Sequence, residues 1–414
     1  MALYGRLLYA WLPLLVFLLQ AFHGGFAQSY YDDDNNGGYD PNALCSEDPT
    51  TSAMVCTCNA GYTNTGSADN VVCTDMRSAS EDIPTDTVSA SEEIRTDTGS
   101  ASGDIRTVNI PANAKWAQNG VTIAGGNGVG GATNQLNYPF GLFVDDDQTV
   151  VIADFWNHRI MQWKNGDTTN GQVVAGGNGQ GSGLHQLNSP TDVLIDKETD
   201  SLIICDWGNK RVVRWSRRSG TGQGEMLIDN IVCYGLAMDE QRYLYVSDYA
   251  KNEVRRYELG DNVGTLVAGG NGVGAGLNQL NGPTYLFVDR DHSVYVSEYS
   301  NNRVMKWAEG AQEGIVVAGG QGQGSALTQF NIPLGIVVDT LGTVYVADCY
   351  NDRVMRWTPG DNTQGTVIVG GNGKGAGANQ FNYPIGLSFD RHGNLYVADQ
   401  SSLRVQRFSI EKDC

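Results

Sequence analysis

Six acidic residues recur along the later part of the chain: Asp154, Asp206, Asp248, Glu298, Asp348 and Asp399, spaced by 52, 42, 50, 50 and 51 residues. Carboxylates from several repeats that converge on one mouth could hold calcium, which takes six to eight oxygens. No cofactor is expected, calcium being the ion such a ring could hold. A competing reading sits beside it. Five of these acids are followed, five residues on, by Arg159, Arg211, Arg303, Arg353 and Arg404. An acid that travels with its arginine is expected to close a turn by a charge-assisted hydrogen bond. The structural role is the better supported of the two.

Other chemistries find less. Zinc needs three or four ligands converging from one end, and the chain has only His23, His158, His185, His292 and His392. His23 lies in the apolar N-terminal segment. His292 and His392 are expected at the opposite end of the repeat from His158. Glycine runs such as Gly176-Gly177-Asn178-Gly179 suggest phosphate loops, but no helical pattern follows to supply the N-terminus a phosphate requires. There is no Gly-x-Ser-x-Gly nucleophile elbow. The aromatic residues just after the ring acids are a better prospect: Phe155, Trp156, Trp207, Tyr249, Tyr299 and Tyr350. They fall in loops on one face, where aromatic side chains favour binding. A second set, Trp163, Trp215, Tyr257, Trp307, Trp357 and Phe408, is regular enough to be packing between repeats.

The elements that must position these residues are short strands. In the first repeat the runs are 141–145, 149–154, 159–163 and 173–175, separated by Gly, Asn and Asp turns. The first two are apolar at nearly every position and should be buried on both faces. The third alternates more loosely, as a strand nearer the rim would. Four strands per repeat, repeated six times, is the signature of a six-bladed β-propeller. The last repeat has only three runs, and the missing fourth, 121–124, stands alone before the first. An N-terminal strand completing the last blade would close the ring and hide both edges. The third repeat breaks the pattern, with Glu253 where the others carry Arg and Cys233 near the missing proline. Cys205 and Cys233 should lie near one mouth, and a disulfide between them is expected.

These words resemble the NHL-repeat family from about Trp116 to Phe408, most plainly in Pro139-Phe140-Gly141-Leu142, Val151-Ile152-Ala153-Asp154 and Asn157-His158-Arg159-Ile160. The resemblance implies an all-β, six-bladed propeller. It also implies a choice of functions, because such propellers include binding platforms, adhesive ectodomains, calcium-dependent lactonases and peptide-amidating lyases. Fold alone does not choose among them.

The remaining sequence bears on location. Residues 1–27 carry one basic residue, Arg6, an apolar run and small residues before Ala27, and are expected to be a signal peptide. No second run is long enough to span a membrane. The net charge of −19 repels phosphate backbones, so nucleic acid is not an expected partner. Residues 28–42 are rich in Asp, Asn, Gly and Tyr, and residues 78–107 repeat a Ser-Ala-Ser-acidic motif with period 11; both are expected to be disordered. Between them, Cys45, Cys56, Cys58 and Cys73 crowd together in an exported chain, where disulfides form. The C-x-C followed by Gly61-Tyr62 resembles the second half of an EGF module, which would imply Cys45–Cys56 and Cys58–Cys73, one of three connectivities. A generic two-disulfide knot is the other reading. The expected domains are thus a signal peptide (1–27), an acidic segment (28–42), a truncated EGF-like module (43–76), a linker (77–110) and the propeller (111–414). The function these features favour is a secreted, non-enzymatic module that binds or adheres to an extracellular protein or glycan. The alternative is a calcium- or zinc-dependent enzyme of lactonase, esterase or amidating-lyase type at the channel mouth.

Overall fold

The computed structural model describes residues 108–411 except 168, 219–221 and 361–363, and the backbone of four short N-terminal strands. The chain divides into two units, Met1–Asp97 and Thr98–Cys414. In the first, Ala43–Glu47 pairs antiparallel with Met54–Cys58, and Tyr62–Asn64 with Cys73–Asp75. Cys45 stands opposite Cys56 in the backbone register. The side chains of all four cysteines lie outside the described residues, as do the expected signal peptide, acidic segment, linker repeat and Cys414.

The second unit is a six-bladed β-propeller of four-stranded antiparallel sheets. Its innermost strands are Pro139–Val144, Asp192–Asp196, Cys233–Met238, Pro283–Val288, Pro333–Val338 and Pro384–Phe389. Each packs beside the next around the ring, the last beside the first. In the sixth blade Pro384–Phe389, Leu395–Asp399 and Arg404–Phe408 take their outermost strand from Val121–Gly125. That strand pairs with Arg404–Arg407 and joins the two ends of the array. Ring closure leaves no open edge between blades.

The second strands, such as Val150–Asp154 and Val344–Asp348, are buried at every position. β-Branched residues suit this pleated, two-sided environment. First strands begin earlier than the apolar run suggests, because a bulge between Pro139 and Leu142 keeps the proline paired with Asp154. The third strand Arg159–Trp163 is also buried throughout, against the expectation of a looser, rim-like strand. Gln172–Gly176 covers it, and aromatic side chains close its end. A Cβ on Gly171, Gly314 or Gly365 would stand 2.7 Å from the ring of Trp163, Trp307 or Trp357. The indoles therefore lie flat on glycine backbone just before the outermost strand.

Candidate functional site

Strand order places the ends of the second strands, the starts of the first and third strands, and the Gly-rich loops on one face. There the acids meet their arginines. Nε of Arg159, Arg211 and Arg353 donates to Oδ2 of Asp154, Asp206 and Asp348, each at 2.7 Å, and Arg404 does so to Asp399 at 2.9 Å. Glu298 and Arg303 form the corresponding pair. Each Oδ1 of the four aspartates also accepts a backbone N–H at 2.7 Å, from Asn137, Asn188, Asn331 or Asn382. Burial pushes these carboxyls up, that of Asp399 to about 6, against the opposing pull of hydrogen bonds and guanidinium.

The same guanidiniums fasten the Gly-rich loops. Arg159 donates through its terminal nitrogens to the carbonyls of Gly131, Ala132 and Gln135. The third blade departs from this scheme. Asp248 accepts the N–H groups of Ala250 and Lys251 and pairs with exposed Lys251 Nζ at 3.3 Å, while Glu253 accepts from Arg255 at 2.6 Å. Among the described residues, no group of three or more His, Cys, Asp and Glu side chains is arranged to hold a metal ion. His158 Nδ1 accepts the Ser189 N–H at 3.0 Å, and His292 stands between Asp239 and Glu240 near the opposite mouth.

The loop aromatics divide by exposure. Trp156 and Tyr350 are 40 % and 43 % exposed, and Trp207, Tyr249 and Tyr299 are half-buried. Phe155 is buried, so it supports the face instead of presenting itself there. It stacks on Phe140 at 4.4 Å between centroids, meets Trp156 edge-on at 4.9 Å and lies 6.3 Å from Trp207. Phe140 continues to Tyr234 at 6.4 Å, and Tyr234 to Tyr249 at 6.0 Å. A chain of rings therefore runs from the second blade across the channel mouth to the third.

Two members, Phe140 and Tyr234, were not singled out by position after the acids, and neither was Tyr383. They lie at the start of the first strands or just before them, and Tyr383 pairs with Tyr350 at 4.8 Å. Their signal was the variable position beside the recurring proline, or beside Cys233, which replaces that proline in the third blade. The residue before that proline is strained: Tyr138, Ser189, Ile332 and Tyr383 have φ of 58°, 53°, 63° and 62°. A left-handed backbone is costly for a β-branched residue such as Ile332 and clusters at functional sites.

The channel itself holds further departures from the repeat. At the third position of the Pro-x-Gly-Leu word, four blades carry Gly141, Gly235, Gly335 and Gly386. A Cβ on Gly235 would lie 2.6 Å from the Thr284 carbonyl oxygen, and one on Gly386 2.5 Å from that of Phe140. Blades two and four place Asp192 and Tyr285 there instead. The Asp192 carboxylate lies against Gly141, and the Tyr285 hydroxyl reaches past Gly235 to the Thr191 carbonyl at 3.3 Å. Burial raises the Asp192 pKa to about 7, opposed by the N–H groups of Leu236 and Val193, each donating at 2.9 Å. Cys205 and Cys233 are bridged beside it, with Cα atoms 5.6 Å apart, and Cys349 is free and buried.

Below this layer is a cavity of about 180 Å³ reaching the mouth at Asp196, Lys197, Glu198, Asp239 and Arg242. That opposite mouth carries a second ring of acids at the ends of the first strands: Asp145, Asp196, Asp239, Asp289, Asp339 and Asp390. Tyrosine hydroxyls tie four of these acids within their own blade, and three further ties cross between blades. Arg242 donates to Asp196 at 2.6 Å, Arg217 to Asp145 at 3.0 Å, and Gln148 to Asp390 at 2.6 Å.

Comparison with known proteins agrees with this architecture. The family described as NHL repeat matches residues 330–356 and 381–408, which are the first three strands of blades five and six. No curated protein sequence matches the chain. Among solved structures, a Bacteroides thetaiotaomicron protein of unknown function aligns with TM-score 0.58 and 20 % identity, over 72 % of this chain and 77 % of its own. An auxiliary nutrient binding protein from Bacteroides ovatus aligns with TM-score 0.56 and 13 % identity, over 72 % and 78 %. A gluconolactonase from Xanthomonas campestris aligns with TM-score 0.51 and 12 % identity, over 75 % and 99 %. At these identities the likeness is one of fold, and it spans both binding proteins and enzymes. The chain carries NHL repeats in a six-bladed propeller.

Proposed function

We propose that the protein is a secreted, non-enzymatic binding module whose acid–arginine face engages an extracellular protein or glycan. The observation that carries this reading is the aromatic chain from Trp207 through Phe155 and Phe140 to Tyr249, with Trp156 and Tyr350 exposed on the same face. Aromatic side chains supply large contact area at low entropic cost and dominate binding energetics. The scaffold beneath them is rigid, because each arginine ties its loop to a buried acid.

The metal-enzyme alternative is less well supported. At five of the six ring acids a calcium ion would have to displace guanidinium and backbone donors that already occupy both oxygens; Asp248, beside Lys251, cannot alone supply the oxygens calcium takes. Residues 1–27 serve as the signal peptide in this proposal, and the EGF-like module and linker precede the propeller. The acidic charge also disfavours nucleic acid, and no helix of the described residues is long and apolar enough to cross a membrane.

The test is a screen of the full secreted chain against arrayed glycans and extracellular proteins, followed by Trp156→Ala and Tyr350→Ala. Each substitution at a binding hot spot is expected to weaken affinity by roughly 2 kcal/mol, about thirtyfold. Unchanged affinity for every captured partner in both variants would move the binding surface elsewhere.

A further inference from the structure

We propose that the central channel is a binding site for a small primary ammonium compound with a compact apolar body, received at its closed end by Asp192. This site is separate from the aromatic face and does not depend on it.

The channel is closed toward the aromatic face. Leu334 and Ile385 are buried there with Tyr285, and Phe140 and Tyr234 pack against them, so five blades contribute side chains that meet across the axis. The cavity below them extends to the second acid ring at Asp196 and Asp239. Its volume of about 180 Å³ is that of a small organic molecule, since an apolar cavity near 150 Å³ accepts benzene. The wall is apolar, with Leu142, Leu236, Leu286, Ile336 and Leu387 contributed by five blades. An apolar enclosure with one or two convergent polar groups is the usual form of a small-molecule site.

Those polar groups are Asp192 and Tyr285, which replace the glycine of the other four blades. A carboxylate offers about four acceptor positions. Two of them on Asp192 are filled by the Leu236 and Val193 N–H groups, one on each oxygen. No cationic side chain among the described residues contributes to its electrostatics. The group is therefore a buried acid with spare acceptor capacity and no counter-charge, which a bound ammonium would supply. At the open mouth Asp196, Glu198 and Asp239 outnumber Lys197 and Arg242, and with the net charge of −19 they favour the approach of a cation. The plainer reading is that Asp192 only staples blade two to blade three through its two backbone contacts. That role predicts no ligand and no preference for charge.

The experiment is a ligand-observed NMR titration of the full chain with isobutylammonium and, separately, with its neutral isostere isobutanol. Isobutylammonium is expected to bind at one site and at least tenfold more tightly than isobutanol. Asp192→Asn should abolish that preference. Ala237→Leu, which narrows the cavity wall, should weaken both ligands at least fivefold. Should Asp192→Asn fail to fold, the wild-type comparison and Ala237→Leu decide the matter. Equal affinity for the two ligands, binding of neither, a preference retained in Asp192→Asn, or affinity unchanged in Ala237→Leu would each overturn the proposal.

Discussion

Arg353 Nε donates to Asp348 Oδ2 at 2.7 Å, and the same guanidinium donates to the carbonyls of Ser325, Ala326 and Gln329 in the preceding Gly-rich loop. One side chain thus joins the second strand, the third strand and the loop between blades. Removing it strands a buried carboxylate and three carbonyls together.

Arg353→Ala is accordingly expected to destabilise the propeller by about 3–5 kcal/mol, the usual consequence of breaking a buried pair. Adding Asp348→Asn should recover part of that loss, because the uncompensated charge is gone. Lys251→Ala in the third blade should cost under about 1 kcal/mol, since its ammonium is exposed. Urea denaturation of the four proteins measures all three differences.

Calcium is expected to leave the melting temperature of the full chain unchanged, and chelator should do the same. Five of the six ring carboxylates already accept from arginine and backbone, so little oxygen remains for a cation. A folded-state ligand raises stability in proportion to RT ln(1 + [L]/Kd). A rise with calcium that chelator reverses would refute the structural role of the ring and justify lactone and ester assays.

Asp192 should make the protein less stable as pH rises. Its folded-state pKa of about 7 lies above the ordinary carboxyl value of 3.8. Between those values the native state holds a proton that the unfolded chain has released, so stability falls with rising pH and levels off above about 7. The slope of one such group is about 1.4 kcal/mol per pH unit at most. Asp399, raised to about 6, adds to the same limb. Tyr234 and Tyr285, which face Asp192, are pushed well above their usual range by burial and stay neutral throughout. Urea midpoints across pH 4 to 8 should fall less steeply in Asp192→Asn; parallel profiles for variant and wild type would count against the assignment.

The Cys205–Cys233 bridge closes a sequence separation of 28 at the one blade that lacks the acid–arginine pair. A loop of that size carries roughly 3–4 kcal/mol of chain-entropy stabilisation. Cys205→Ala with Cys233→Ala is expected to lose most of it, read as a lower urea midpoint. Both sulfurs are fully buried, so reductant without denaturant should leave the native protein unalkylated at these positions. Rapid alkylation under native conditions would contradict that placement.

Sequence by itself determined the propeller, its six blades, the closing strand and the acid–arginine register. Those features rest on local words repeated six times, and any one copy reports on the others. Repetition could not report on what the repeats enclose. Phe155 reads like Trp156 in the chain, yet stacking on Phe140 buries the first and leaves the second in solvent. Nothing in the repeat marks Asp192 and Tyr285 beyond their standing where four blades carry glycine. Their meaning arises only when six first strands meet around one axis, so close that most blades have no room for a Cβ. The second acid ring recurs in the chain, and Asp239, Asp289, Asp339 and Asp390 take local ties from the N–H four residues on, but the ties from Arg242 to Asp196 and Arg217 to Asp145 run between blades and have no local spacing. Periodicity encodes contacts within a repeat. Only closure of the ring decides which side chains share the channel and which face water.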